Sequence, residues 1–144
     1  MEQTFVSTSD QDTKSIAGRL VASLEKGTTI CLWGDLAAGK TTFTQGIALE
    51  LGIGRLTSPT FIIMREYPVI NNNYFKTLYH LDLYRLNSPD EIKAFDIDEI
   101  IADPQNLVVI EWPEKFGDQL PKDRIDVYFK ITDDNEREIK VISK

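Results

Sequence analysis

The spacing of apolar residues changes period several times along the chain, and each change marks an element. Residues 3–7 read as a short strand. Over 10–26, Ile16, Leu20, Val21 and Leu24 recur at helical spacing, Ser9 or Asp10 caps the start, and Gly27 closes the stretch. Thr28–Trp33 (TTICLW) is a β-branched apolar run bounded by glycines, the composition of a buried strand. Gly34–Thr41 follows, and then a helical stretch to Leu51, stopped by Gly52. Residues 53–60 form a loop. Phe61–Tyr67 and Thr77–Tyr84 read as strands joined through Asn71-Asn72-Asn73, a strong turn signal. Ser88-Pro89-Asp90-Glu91 has capping-box spacing with proline at the first helical position, so a helix begins there, with a break and restart near Asp96. Leu107–Glu111 (LVVIE) is a second buried strand, ending in an acid. Ile125–Ile131 and Arg137–Ile142 form a closing hairpin across residues 132–136.

Strand–helix alternation with a late hairpin predicts an α/β fold with a mixed sheet, parallel near its centre. The 144 residues are the size of one domain, and 42% hydrophobic residues suffice for a core. The net charge of −7 argues against a broad nucleic-acid-binding face. The single cysteine, Cys31, excludes an intrachain disulfide and sits in an apolar run, as a small buried side chain would. No apolar run approaches the ~20 residues of a membrane span, and no signal-peptide pattern opens the chain. These features predict a soluble, cytoplasmic protein in which residues 1–144 form one domain.

Gly34-Asp35-Leu36-Ala37-Ala38-Gly39-Lys40-Thr41 satisfies G-x-x-x-x-G-K-[ST] without a mismatch. The glycines let the backbone curl so that successive N–H groups point at an anion, and the following helix adds its positive end. Lys40 reaches the β- and γ-phosphates, and the Thr41 hydroxyl suits Mg²⁺. From average composition, a chance match in a chain this long is on the order of half a percent. The preceding strand and following helix are the context the motif requires.

A P-loop enzyme also needs a carboxylate near the metal, usually at the end of a neighbouring buried strand. Glu111 closes LVVIE, and Asp82 closes the less apolar LYHLD. At least one of them is expected near the metal; the pattern alone does not separate their roles. Thr57-Ser58-Pro59-Thr60 lies where γ-phosphate-sensing loops occur, or forms an ordinary Ser-Pro turn. His80, the one histidine, shares a strand face with Asp82, and a packed or hydrogen-bonded role suits it better than metal ligation. Trp112 either packs near the nucleotide or fills the core edge.

Four blocks together resemble the TsaE (YjeE) family of bacterial P-loop ATPases: GDLAAGKTTF at 34–43, SPTF at 58–61 with Glu66-Tyr67 beyond it, HLDLYR at 80–85, and EWPE at 111–114. The resemblance spans nearly the whole chain and implies a P-loop NTPase-like three-layer fold. It also implies a magnesium-dependent ATPase that binds ATP and ADP and serves formation of threonylcarbamoyladenosine, beside the anticodon of tRNAs reading codons that start with A. Such a protein acts with TsaD and TsaB, does not itself transfer the carbamoyl group, and meets tRNA only through the complex.

Carried over by position, Asp35, Leu36, Ala37, Ala38, Gly39, Lys40, Thr41 and Thr42 would cradle the phosphates. Thr41 and Glu111 would ligate magnesium, and Asp82 would assist hydrolysis by ordering water. Thr60 matches the switch-like threonine, Trp112 the aromatic beside the acid, and Arg137 an arginine against the nucleotide. For Arg137 an ordinary cross-strand pairing in an acidic hairpin is the alternative. Where relatives usually carry glycine this chain has Ala37, which tolerates fewer backbone angles. The polar segment Ser9–Thr13 matches relatives only loosely and is assigned no site.

Two other readings share the loop. A small-molecule kinase would add an acceptor pocket and an arginine-bearing lid, but Arg55, Arg65 and Arg85 form no lid cluster in sequence. A regulatory GTPase would add a guanine-reading Asn/Thr-Lys-x-Asp segment, which the chain lacks.

Overall fold

The computed structural model describes residues 1–54, 56, 64–88, 90–92 and 96–143. In chain order the elements are β1 (Glu2–Ser7), α1 (Asp10–Ala22), β2 (Thr28–Trp33), α2 (Lys40–Glu50), β3 (Met64–Pro68), β4 (Thr77–Asp82), α3 (Ile97–Ala102), β5 (Asn106–Glu111), a 3-10 helix at Pro113–Gln119, β6 (Ile125–Asp133) and β7 (Glu136–Ser143). The described strands form one seven-stranded sheet in the order β1-β7-β6-β2-β5-β4-β3.

The centre is parallel, because β2 pairs in parallel with both β5 and β6, and β5 with β4. Both flanks are antiparallel: β3 on β4 at one edge, β7 on β6 and β1 on β7 at the other. The most buried strands are the two most continuously apolar runs. Every residue of β5 is buried, as are Thr29 to Leu32 of β2. Strands covered on both faces lose the polar alternation of a one-sided sheet.

Two cores lie on opposite faces. On one, Ile16, Ala17 and Val21 of α1 and Phe43, Ile47 and Ala48 of α2 pack onto Ile30, Leu32, Leu107, Val109, Val127 and Phe129. On the other, Ile97 of α3 and Phe116 of the 3-10 helix cover Cys31, Leu81, Val108 and Ile110. Helices, sheet and the α3 side make the three expected layers. Leu32, with no exposed surface, illustrates the energetics. Truncating such a residue to alanine costs about 2–5 kcal/mol.

Several boundaries differ from expectation. Helix α1 stops at Ala22 rather than running to Gly27, because the amide of its C-cap, Ser23, turns back to the carbonyls of Leu20 and Val21. Its start is as expected, with the Ser9 side chain accepting from the Asp12 amide. Strand β4 ends at Asp82, not Tyr84, because the Tyr84 amide donates to Asp82 Oδ1 and closes a turn. The expected helix at 88–91 is, among the described residues, only a 3-10 turn at 90–92. The predicted break near Asp96 is real: Asp96 has φ 53° and α3 starts after it. The hairpin strands run further than expected, Asp133 pairing with Glu136 past an irregularity after Ile131, so Asp134-Asn135 alone make the turn. The 3-10 helix at Pro113–Gln119 was not foreseen; its proline start was the available signal.

Candidate functional site

The carboxyl ends of the parallel strands β2, β5 and β4 all open on one side, the position where open α/β sheets bind ligands. β2 runs into the loop at 34–39, β5 ends at Glu111 and β4 at Asp82, and Asp82 and Glu111 are register partners. An open cavity of about 600 Å³ lies there. Leu36, Ala37, Gly39, Lys40, Thr41 and Thr42 line it from the loop and α2, and Asp82, Glu111, Trp112 and Tyr84 from the strand ends. Arg137 lines it from β7.

Backbone geometry makes the loop. Gly34, Ala37 and Gly39 have φ of 152°, 63° and 108°. A Cβ on Gly34 would lie 3.0 Å from the Phe129 carbonyl oxygen, so both angle and space call for glycine there. Ala37 occupies a left-handed position that costs a non-glycine residue about 1–2 kcal/mol. Helix α2 is entered through Gly39 with no side-chain cap, which leaves its first amides open to an anion. Asp35 and Ala38 do not line the cavity. Ala38 is buried in the core beneath, and the Asp35 carbonyl accepts from its amide at 3.2 Å.

Lys40, only 5% exposed, is held by the loop it serves. Its Nζ donates to the Gly34 carbonyl at 2.6 Å and lies 3.5 Å from the centroid of the Trp112 ring. Burial pushes its pKa below the ordinary value, against the opposing pull of Glu111, Glu114, Asp82 and Asp35. Trp112 has φ 61°, and its ring lies 5.0 Å from that of Tyr84. Trp112 lines the cavity and also packs against the second core, so the geometry is compatible with both roles foreseen for it.

Glu111 is 4% exposed, and its Oε2 lies 2.5 Å from His80 Nε2. His80 is therefore a hydrogen-bonding partner, as anticipated, rather than an isolated side chain. Asp82 is half-buried. Desolvation raises its pKa, offset by the hydrogen bond from the Tyr84 amide and raised further by Glu111. Among the described residues no cluster of three His, Cys, Asp or Glu side chains forms a closed metal cage. The donor set suits Mg²⁺, which takes one or two protein oxygens and completes its shell with phosphate and water. The Thr41 hydroxyl, on the first turn of α2, and the Glu111 carboxylate both border the cavity.

Arg137 sits on the hairpin strand β7 at the cavity wall. It is paired across the hairpin with Ile131, and its Nη2 lies 3.5 Å from the Ala37 carbonyl. Thr60 and its Ser-Pro segment lie outside the described residues. The cavity also has a wall the sequence did not reveal: Ser7, Thr8, Ser9 and Asp10 from the start of the chain, with Asp134 and Asn135 from the hairpin turn. Thr8 is fixed by Asp12, whose Oδ2 accepts from the Thr8 hydroxyl at 2.7 Å and its amide at 3.0 Å; these bonds lower the Asp12 pKa. The polar run at 9–13 was the visible signal, but its distance in sequence from the P-loop concealed its place.

A loop of this shape, leaving the central parallel strand and entering an uncapped helix, defines an α/β protein of the P-loop class. Comparison with known proteins narrows this further. The family model described as "Threonylcarbamoyl adenosine biosynthesis protein TsaE" matches residues 7–139, and the chain belongs to the TsaE family. It is 42% identical over 130 residues to the tRNA threonylcarbamoyladenosine biosynthesis protein TsaE of Bacillus subtilis, covering 90% of this chain and 78% of that one. It is 39% identical over 140 residues to the protein of the same name from Treponema pallidum, covering 94% and 97%. The crystal structure of YdiB from Bacillus subtilis superposes with a TM-score of 0.80 at 33% identity, over 99% of this chain and 86% of that one. TsaE homologues take part in tRNA threonylcarbamoyladenosine biosynthesis, and no described helix is long and apolar enough to cross a membrane.

Proposed function

We propose that this protein is a magnesium-dependent ATPase supporting threonylcarbamoyladenosine formation on tRNAs that read codons starting with A. In this reading it works with TsaB and TsaD in the cytoplasm and meets tRNA through that complex. The observation that carries the reading is the convergence of Lys40, the open amide end of α2, Asp82 and Glu111 on one cavity.

The loop amides and Lys40 would hold the phosphates of ATP or ADP, Lys40 exchanging the Gly34 carbonyl for a phosphate oxygen. Thr41 and Glu111 would hold Mg²⁺, which would supply neutralising charge to the phosphates. Asp82, at the neighbouring strand end, would order the attacking water, with Thr60 a second candidate for that task. Trp112 and Arg137 would flank the nucleotide, and the hydroxyl wall at Thr8 and Ser9 would take its less charged part. The cavity is open on one side, so contact with partner proteins would complete the shielding that fast hydrolysis needs.

Calorimetric titration with ATP and ADP, with and without Mg²⁺, tests the proposal. Binding that Lys40→Ala abolishes, in a variant that still unfolds cooperatively, is the expected result. A wild-type protein that takes neither nucleotide would refute it.

A further inference from the structure

His80 lies beneath the cavity, and the chemistry assigned so far gives it no task. It is 3% exposed on β4, two residues before Asp82 and on the same face of the sheet. Its Nε2 meets Oε2 of Glu111, and its Nδ1 is buried without a hydrogen-bond partner among the described residues. A bare ring nitrogen left unpaired costs less than an unpaired N–H, so the proton belongs on Nε2, donated to the carboxylate.

The backbone of Glu111 is already fixed. Its carbonyl accepts from the Leu83 amide at 3.1 Å, and the chain turns at once through the left-handed Trp112. What remains free is the side chain, with rotatable bonds between backbone and carboxylate. A contact at the carboxylate itself fixes the direction of its two oxygens. His80 supplies that contact from the buried side, while Glu111 lines the cavity on the other.

We propose that His80 is a positioning residue: its Nε2–H holds Oε2 of Glu111 so that the second carboxylate oxygen is presented to the metal of a bound nucleotide. The inference rests on the nucleotide–magnesium reading of the site. Hydrogen bonds to a ligating carboxylate fix its direction, and losing such a partner costs typically about 10–100-fold in metal affinity or activity.

The test titrates Mg²⁺ into ADP-loaded protein by calorimetry, beside ADP binding without metal. His80→Leu removes the donor, and the apparent Mg²⁺ affinity should fall by about 10–100-fold while metal-free ADP affinity stays within about threefold. His80→Gln places an amide N–H near the position of Nε2 and should recover most of the loss. His80→Asn, whose amide stands nearer Nδ1, should not; this pair decides the matter if the leucine variant fails to fold. In a Glu111→Gln background, His80→Leu should have little further effect, since the histidine acts through the carboxylate. Equal Mg²⁺ affinity in wild type, His80→Asn and His80→Leu overturns the proposal, as does an undiminished effect without Glu111. A wild-type protein that binds no ADP, or binds it indifferently to Mg²⁺, refutes the underlying reading instead, so the two failures are distinguishable.

Discussion

The ammonium of Lys40 rests over the face of Trp112, 3.5 Å from the ring centroid, while its hydrogen bond goes to the carbonyl of Gly34. A cation over indole contributes about 0.5–2 kcal/mol, depending on desolvation. A phosphate drawing Lys40 away would therefore alter the surroundings of the indole. The chain has two tryptophans, and the Trp33 indole N–H donates to Asp126, so Trp33→Phe leaves Trp112 as sole reporter. Its emission should change saturably as ADP is added, and Lys40→Ala should eliminate the response. An unaltered spectrum in protein that calorimetry shows to be ADP-loaded would mean that Lys40 keeps its resting contact.

Asp82 governs a pH dependence. Burial raises its pKa above the ordinary 3.8, with Glu111 adding repulsion, so the folded protein holds this proton more tightly than the unfolded chain does. Stability contributed by this site is therefore greatest in acid and falls as pH rises from 3.8 through the raised value. Asp82→Asn, which keeps an oxygen for the Tyr84 amide, should lessen that decline and raise the stability of nucleotide-free protein at neutral pH. Urea denaturation of both proteins across the acid range measures it; parallel curves would show that Asp82 does not titrate differently on folding.

Ala37 carries strain that a glycine would release. Its left-handed φ of 63° costs about 1–2 kcal/mol, and the added freedom of glycine in the unfolded chain returns about 0.5–1 of that. Ala37→Gly should stabilise by about 0–1.5 kcal/mol, whereas Ala37→Val should cost about 1–3 kcal/mol. Thermal unfolding ranks the three; a valine variant as stable as the glycine one would contradict the loop geometry.

Gly46 allows α1 and α2 to touch. A Cβ there would lie 2.6 Å from Lys14 Cα and from its carbonyl oxygen, both backbone atoms that cannot rotate aside. Gly46→Ala should destabilise by about 1–3 kcal/mol despite the better helix propensity of alanine, because the helices must separate. A raised melting temperature would show that the helix pair has slack.

Local chemistry was the most legible part. Thr28–Trp33 and the helix to Leu51 emerged nearly as foreseen, because an apolar β-branched run and an uninterrupted helical pattern each state their own conformation. Less was readable where one contact decides between close alternatives. The Ser23 amide ends α1 early although the helical pattern continues to Leu24, and the Asp82 side chain ends β4 although Leu83 and Tyr84 suit a strand. The long β6–β7 strands include polar residues that composition assigns to a turn but cross-strand pairing keeps extended.

By itself the sequence determined the loop and its chemistry: Gly34, Gly39, Lys40 and Thr41 are consecutive or nearly so, and the spacing that serves a phosphate is written along the backbone. It also named Asp82 and Glu111 as acids at strand ends. Only the tertiary structure made them partners, through the parallel register of β4 on β5, set Trp112 over Lys40, and gave Glu111 the buried histidine beneath it. Only the fold, too, brought Ser7 to Asp10 beside Asp134 and Asn135, because β1 adds to the sheet on β7, the last strand. Such pairings depend on which strands lie side by side, a choice made by burying two faces of one sheet at once and not by the preferences of any single segment.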